Sequence, residues 1–197
     1  MREIAAREDY HFSESPPYII LRNPWLSFDD IGRIETIGRL LDLYYNHEGF
    51  ESALALLTRT TLLSALMDRM ADNATGQALS GLSSLRLYEL FFRLAAPCFN
   101  VTDIGLLADA LFFDLCCHEM PRQGKLPLFI AQRQQECSWP GVRTLAVTLD
   151  LPSDSRIKTF RFTFIRDYRT RPWSEKKTEL TFVYASYPGG GLTIITL

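Results

Sequence analysis

The 197-residue sequence lacks the long apolar runs and targeting signals that would indicate a membrane or secreted protein. No stretch approaches the roughly 18 to 20 consecutive apolar residues of a transmembrane helix. The first nine residues, Met-Arg-Glu-Ile-Ala-Ala-Arg-Glu-Asp, are charged where a signal peptide needs an apolar core. We therefore expect a cytoplasmic protein with no membrane partner.

The sequence is also poor in cysteine, with Cys98, Cys116, Cys117 and Cys137, and no two of them are separated by two residues. The adjacent cysteines followed by His118 could suggest a metal site. Consecutive helical residues point in different directions, however, and cannot converge on one ion. We predict reduced thiols that pack as small apolar side chains.

Catalytic motifs are missing as well. The three histidines lie in a polar linker (His11), a helix-ending turn (His47) and the end of an apolar helix (His118), and none pairs with a nucleophile. Asp109 and Asp114 lie in the most apolar predicted helix, and we interpret them as an exposed stripe or a local pair. The sequence therefore predicts no catalytic, cofactor-binding or metal-ligating residue.

What is present is an ordinary globular composition, with 47% hydrophobic and 22% charged residues, enough for one good core. The formal net charge of -2 is the sum of an acidic N-terminal part and a basic C-terminal part. Residues 1–120 carry 9 Lys+Arg against 17 Asp+Glu, whereas residues 121–197 carry 12 against 6. Such asymmetry is typical of two structural units, and the basic one could face an anionic partner or the acidic unit itself.

Residues 26–136 have the apolar periodicity of helices. Ser27 is the predicted N-cap of the first, with Asp29 and Asp30 in its first turn, and this helix should end between residues 46 and 49. Further helices are predicted over 51–70, from Ser83 or Ser84 to Pro97, from Thr102 to about residue 118, and, shorter, over 127–136.

After Pro140-Gly141 the apolar period changes to two residues, which favours strands. They are predicted over 142–149, around the alternating Phe160, Phe162 and Phe164, over 178–187 and over 192–197. Glycines 189–191 are predicted to form a hairpin turn, because a β-branched run follows them. The predicted fold class is α+β, a bundle of four to five helices followed by a small antiparallel β-sheet. The predicted units are a linker over 1–25, a helical unit over 26–136 and a β unit over 137–197 packed on it.

A candidate interaction surface lies in the basic segment 156–177 and comprises Arg161, Arg166, Arg169, Arg171 and Trp173. Arginines beside sheet aromatics can bind single-stranded nucleic acid by stacking and phosphate contact. The three alternating phenylalanines share a face that the core needs, so we expect them to point inward. The charges would then keep a sheet edge soluble or dock on another domain, and we do not expect nucleic acid as the partner.

The stretch Pro-Pro-Tyr-Ile-Ile-Leu-Arg-Asn-Pro-Trp-Leu-Ser-Phe over residues 16–28 joins an extended segment to the first helix. It resembles the C-terminal domain of unknown function carried by some cobalamin-binding radical S-adenosylmethionine proteins. The motif residues are Pro17, Tyr18, Pro24, Trp25, Leu26 and Ser27, followed by Tyr44-Tyr45-Asn46 and Phe50. The turn over 46–49 departs from the family, where a glycine is expected nearer to Asn46.

The resemblance implies a non-catalytic accessory domain that packs on a radical barrel and helps to shape or shield its substrate entrance. The parent would use an iron-sulfur cluster, S-adenosylmethionine and cobalamin, and the partners would be the upstream barrel and cobalamin domain of the same polypeptide. This chain has no Cys-x3-Cys-x2-Cys loop, whose three thiolates leave one iron open for S-adenosylmethionine. It also lacks an Asp-x-His-x-x-Gly motif. We therefore expect it to be inert alone and Met1 to be an internal methionine of a longer protein.

Two other classes of function remain open. The chain could be a stand-alone interaction or regulatory module that binds an acidic partner or RNA through its basic β unit. It could also be an independent hydrolase or transferase, although no motif for either is present.

Overall fold

The computed structural model describes residues 7–59, 61–122, 125–130, 135–136, 148–152, 154–188 and 191–197. In this part of the chain there are five α-helices and six strands. The helices are α1 (Phe28–Leu40), α2 (Glu51–Leu57), α3 (Leu63–Asn73), α4 (Ser84–Ala95) and α5 (Val101–His118). The strands are β1 (His11–Phe12), β2 (Ile20–Arg22), β3 (Gln135–Glu136), β4 (Arg156–Phe164), β5 (Thr178–Ser186) and β6 (Leu192–Thr196). The predicted α+β fold class is confirmed.

Helix α1 begins as the sequence predicts. The Ser27 hydroxyl accepts a hydrogen bond from the backbone N–H of Asp30 at 3.1 Å, and the Asp30 carboxylate accepts one from the N–H of Ser27 at 2.9 Å. This reciprocal capping box satisfies two of the donors that a helix start leaves free. The helix continues as a π-helical turn over Leu41–Tyr45 and ends at Asn46, inside the predicted range.

The single helix predicted over 51–70 is wrong, because the chain forms two helices there. Helix α2 ends at Leu57, and α3 starts after Leu62, whose backbone is extended. Threonines occupy positions 58, 60 and 61, and the Thr58 hydroxyl donates to the carbonyl of Leu54. Threonine is a poor helix former that competes for backbone hydrogen bonds, which accounts for a break at this point.

The next two helices differ little from prediction. Ser83 caps α4, and a 3-10 turn containing Pro97 ends it. Helix α5 starts at Val101 with Asn100 as its N-cap residue, two positions before the predicted Thr102 cap. The Asn100 side chain makes no capping hydrogen bond, so only its extended backbone marks the start of the helix. None of the helices among the described residues is long and apolar enough to cross a membrane.

The C-terminal strands form an antiparallel sheet in the order β3-β4-β5-β6, with Phe160 opposite Phe182 and Ser186 opposite Leu192. The predicted helix over 127–136 is wrong, since Leu128–Ile130 is a 3-10 turn and Gln135–Glu136 is the edge strand β3. Pro127 restricts the backbone before this turn.

Two predictions about the β region fall partly on residues that are not described. The predicted strand over 142–149 lies outside the described residues up to 147; residue 148 is helical and residues 149 and 150 form a turn, so the strand prediction is wrong at 148–149. Of the predicted glycine hairpin, positions 189 and 190 also lie outside. The Tyr187 N–H donates to the Gly191 carbonyl at 3.0 Å, and this bond closes the connection from β5 to β6.

Helix α5 lies at the centre of the core, between α2 and the sheet. The Phe112 ring meets Phe162 edge to face with centroids 4.7 Å apart, and the Phe113 ring lies 5.7 Å from Phe164. The phenylalanines of β4 are buried, as predicted. Aromatic pairs in these geometries stabilise a core beyond the area they bury.

The interpretation of Asp109 and Asp114 as exposed is wrong, because their exposed fractions are 0% and 2%. Asp114 accepts hydrogen bonds from the backbone N–H groups of Ser52 and Ala53 at 2.9 to 3.0 Å. Asp109 accepts one from the N–H of Ile165 at 2.7 Å. The N-cap residue of α2 is Phe50, whose side chain has no acceptor, so a carboxylate of α5 caps α2 from across the core.

Candidate interaction surface

The predicted basic surface is largely neutralised by neighbouring carboxylates. Arg161 lies 3.3 Å from Glu179, and Arg166 lies 3.5 Å from Glu175. Arg169 contacts Asp167 at 2.8 Å, and its hydrogen bonds hold the pKa of the Asp167 carboxyl below its usual value. In each pair at least one side chain is well exposed to solvent, and such pairs contribute little to stability.

The aromatic part of that predicted surface is buried. Trp173 is only 7% exposed, and the guanidinium of Arg59 covers its ring at 4.6 Å from the centroid. Arg171 is exposed. Base stacking needs an open aromatic face, which Trp173 and the inward phenylalanines of β4 do not offer. Binding of an acidic partner or RNA here stays a prediction.

Large apolar side chains are instead exposed at the N-terminal end of the described chain. We call this set the apolar band; its members are Phe12, Tyr18, Ile19, Ile20, Trp25, Phe28 and Ile34. Trp25 is 76% exposed, and Phe28 and Tyr18 are more than half exposed. Groups of exposed large apolar side chains mark interaction sites on soluble proteins.

The ring contacts of Tyr10 link two members of the apolar band, Phe12 and Trp25. Phe12 of β1 lies opposite Ile20 of β2 in the hairpin. The ring of Tyr10 lies 6.3 Å from that of Phe12 and 6.4 Å from that of Trp25. Ile19 precedes Ile20 in the chain and is also half exposed.

Polar side chains fix the backbone beneath the apolar band. The Ser13 hydroxyl donates to the Pro17 carbonyl at 3.0 Å and accepts from the N–H of Ile19 at 3.1 Å. The Asn23 side-chain oxygen accepts from the N–H groups of Trp25 and Leu26 at 2.9 and 2.8 Å. These local turns are typical of serine and asparagine. They hold the segment in shape without covering its apolar side chains.

Helix α1 attaches the apolar band to the bundle through Arg33. Its Nε donates to the Asp68 carboxylate of α3 at 2.8 Å, and its Nη1 bonds Asp72. The Arg33 guanidinium lowers the pKa of the Asp68 carboxyl. Glu14, Asp29 and Glu35, in the same part of the sequence, are exposed.

Sequence reasoning assigned the motif residues to local structure and missed this surface. The motif divides into two roles in the fold. Ser27 and the prolines shape the backbone, whereas Tyr18 and Trp25 face outward. The available signal was the density of large apolar residues in a segment too short to bury them.

The described cysteines are not grouped with other side chains as metal ligands would be. Burial raises the pKa of the Cys116 thiol, and it raises the pKa of Cys117 to about 12, so both thiols are protonated at neutral pH. Cys98, Cys116 and Cys117 are free thiols, as predicted, and Cys137 lies outside the described residues. Within the described chain, no group of three His, Cys, Asp or Glu side chains could hold a metal ion.

The fold and its exposed surface define an α+β domain with a candidate interaction face. The model of the family described as "Protein of unknown function (DUF4080)" matches residues 8–143, and the chain belongs to this family. No curated protein and no solved structure matches the chain. The family match includes the apolar band and all five helices and ends before β4. Membership in a family of unknown function agrees with the predicted resemblance at that coarser level.

Proposed function

We propose that this chain is an accessory domain that packs on a partner domain through the apolar band and carries no catalytic centre of its own. The observation that carries the proposal is the exposure of Trp25, Phe28 and Tyr18 on a backbone held by its own hydrogen bonds. Tryptophan and tyrosine are the residues that most often dominate binding energy at protein interfaces.

The free energy expected from burying these side chains on a partner supports the docking proposal. Fully burying one large apolar side chain is worth about 1.5 to 3 kcal/mol. Because the segment is already ordered by Ser13 and Asn23, a partner would not have to supply the free energy of ordering it. Burial of the apolar band would therefore convert efficiently into affinity.

For the partner, we propose the catalytic barrel of a cobalamin-dependent radical S-adenosylmethionine enzyme, encoded upstream in the same polypeptide. The support is the resemblance of residues 16–28, in which the exposed Tyr18 and Trp25 are motif residues. On the barrel, the domain would shape or shield the substrate entrance. The iron-sulfur cluster, S-adenosylmethionine and cobalamin would be held by the other domains.

Calorimetric titration of the purified chain with the purified barrel region tests the docking. We expect saturable binding that Trp25→Ala and Phe28→Ala each weaken by at least tenfold, which is about 1.4 kcal/mol. Leu128→Ala is the matched control, because Leu128 is 84% exposed but lies outside the apolar band. Equal binding by all three variants would contradict the proposed surface.

Anaerobic reconstitution tests the accessory role separately. The chain is incubated with iron, sulfide and cobalamin, desalted, and its metal and corrin contents are measured. We expect neither group to be retained in stoichiometric amount. Stoichiometric uptake of either one would show that the chain is a cofactor-binding unit in its own right.

A further inference from the structure

Strand β6 is the last strand of the C-terminal sheet, and among the described strands only β5 pairs with it. The N–H of Leu197 donates to the Thr181 carbonyl at 2.8 Å, and the N–H of Thr181 donates to the Leu197 carbonyl at 3.1 Å. In an antiparallel pair such bonded positions recur at every second residue. Ile195 and Thr193 are therefore the other residues of β6 whose backbone groups bond to β5.

The alternate backbone groups of β6 point away from β5. Leu192, Ile194 and Thr196 occupy the pairs in which the two strands exchange no hydrogen bonds. Their N–H and C=O groups face the open edge of the sheet, and no described backbone group bonds to them there. The strand is partly exposed along its length, and Leu192 is 46% exposed. The edge therefore offers a row of donors and acceptors to another strand.

Two other strand edges of the described chain carry features that discourage pairing, whereas β6 carries none. The register of β1 with β2 is irregular between His11 and Phe12, and a bulge deters a further strand. Strand β3 has only two residues, one of them Glu136, and the part of β4 that it leaves uncovered contains Arg156 and Lys158. The sequence of β6, Leu-Thr-Ile-Ile-Thr, has no charge and no proline, and its pairing with β5 is regular. Natural proteins rarely leave such an edge unpaired.

We propose that β6 pairs with β6 of a second copy of this chain, antiparallel about a two-fold axis at Ile194. In this register Ile194 lies opposite Ile194 of the copy, and Leu192 lies opposite Thr196 of the copy. All of these are outward-facing positions, so each free N–H meets a free C=O. The two sheets then form one continuous sheet, and the interface is isologous.

The composition of β6 favours a second copy over an unrelated strand as the partner. Because β6 has no charged side chain, no like charges lie opposite each other across the axis. The formal net charge of the chain is only -2, so two copies repel each other weakly. Ile194 packs against the core, and Thr196 contacts the Cys117 thiol of α5. Pairing therefore extends an existing apolar layer, and it does not involve the apolar band.

Sedimentation velocity of the purified chain tests for the dimer. A single strand pair buries less area than a standard interface, so we expect a reversible dimer with a Kd of about 10 to 100 µM. The measurement covers protein concentrations from about 1 to 500 µM, a range that brackets this Kd.

Amide hydrogen exchange, measured by NMR on ¹⁵N-labelled protein, identifies the strand. In dilute protein, the amides of Thr193 and Ile195 should exchange slowly, because they are bonded to β5, and those of Leu192, Ile194 and Thr196 should exchange fast. At concentrations that give the dimer, the second group should slow by at least tenfold.

Two charge variants test the two-fold axis. Ile194→Lys and Ile194→Glu each place like charges opposite each other, so each should raise the Kd by at least tenfold. An equimolar mixture of the two should form a heterodimer, because opposite charges then meet. Leu128→Lys is the matched control, since Leu128 is 84% exposed and lies outside the sheet, and it should leave the dimer unchanged.

Leu192→Pro tests the same edge without a charge in a partly buried position. Its N–H makes no bond to β5, and proline is tolerated at the first residue of an edge strand. The variant should melt as the unmodified protein does and lose the dimer.

Three outcomes would overturn the proposal. The first is a chain that stays monomeric over the whole concentration range. The second is a dimer that Trp25→Ala abolishes and Leu192→Pro leaves intact, because its interface would then be the apolar band. The third is a dimer in which the amides of Leu192, Ile194 and Thr196 still exchange fast.

Discussion

The core and the N-terminal segment use one device, a side-chain oxygen that accepts backbone N–H groups, over very different distances along the chain. In the core, Asp114 binds N–H groups 61 and 62 residues away, and Asp109 binds one 56 residues away. In the N-terminal segment, Asn23 and Ser27 bind N–H groups two or three residues away. The core therefore depends on tertiary structure, whereas the segment sets its own shape.

This difference separates stability from the proposed function. The carboxylates of α5 tie helix α2 and strand β4 to the centre of the fold, so their loss should unfold the protein. The local hydrogen bonds of Ser13 and Asn23 leave the side chains of the apolar band exposed. Truncation of those side chains should therefore affect docking alone. Single substitutions in each region can break that separation.

Asp114→Ala should have the largest effect. It leaves the N–H groups of Ser52 and Ala53 without an acceptor in a buried site and removes the cap of α2. We expect the free energy of unfolding to fall by about 2 to 4 kcal/mol. Urea denaturation followed by far-UV circular dichroism measures it.

Asp114→Asn is the control for this change, because it keeps one acceptor oxygen and nearly the same volume. Its loss of stability should be smaller than that of Asp114→Ala. Equal stability of Asp114→Ala and the unmodified protein would mean that the contact across the core contributes nothing, and the contrast between the two regions would fail.

The pH dependence of stability should differ in sign between the two regions. Burial raises the pKa of Asp114 from 3.8 to about 7, against the opposing hydrogen bonds from Ala53 and Ser52. The folded state therefore holds a proton that the unfolded state has released, and the contribution of Asp114 is lost as pH rises from about 4 to about 7. Asp30 is the opposite case. The hydrogen bonds with Ser27 lower the pKa of the Asp30 carboxyl in the folded state. The stability that Asp30 contributes is therefore lost as the pH falls below the pKa that Asp30 has in the unfolded chain.

Difference measurements isolate these two groups. The urea midpoint of Asp114→Asn should rise relative to the unmodified protein between pH 4.5 and 7.5, because each pKa unit is worth about 1.4 kcal/mol. The difference in urea midpoint between Asp30→Asn and the unmodified protein should stay constant over the same pH range. A constant offset for Asp114→Asn would show that its carboxyl is ionised throughout.

Two glycines give a matched comparison of a close-packed site and an open one. Gly49→Ala forces a left-handed backbone and a contact with the Tyr88 hydroxyl, so we expect a loss of about 1 to 3 kcal/mol. Gly32 lies in helix α1, and nothing lies within 4 Å of a Cβ built there. Gly32→Ala should stabilise the protein by about 0.5 to 1 kcal/mol. Thermal melts of both variants test the pair, and a loss in both would contradict the open surface of α1.

The sequence predicted features that depend on local chemistry. The cap at Ser27, the end of α1 near Asn46, the cap at Ser83 and the inward face of β4 all follow from nearby residues. The break after Leu57 was missed because the apolar period continues through the threonines.

The sequence could not predict the long-range contacts. Periodicity shows that α5 is apolar on more than one face. It does not show that Asp114 accepts from N–H groups of α2, or that Asp109 accepts from the N–H of Ile165, the residue after β4. Tertiary structure also decides that the Trp25 side chain is exposed and that the Arg59 guanidinium packs on the Trp173 ring. A basic segment rich in aromatics was therefore interpreted as a surface, and an apolar segment as local packing.

The two described tryptophans give the smallest expected effect on stability and the sharpest test of the comparison. Trp25→Ser removes the largest side chain of the apolar band, yet Trp25 is 76% exposed, so the free energy of unfolding should change by less than about 0.5 kcal/mol. Trp173→Ser empties a buried site under Arg59 and should cost about 3 kcal/mol or more. Urea denaturation of both variants measures the contrast. If Trp25→Ser were as destabilising as Trp173→Ser, Trp25 would be packed within the domain, and the apolar band would have no surface left to offer a partner.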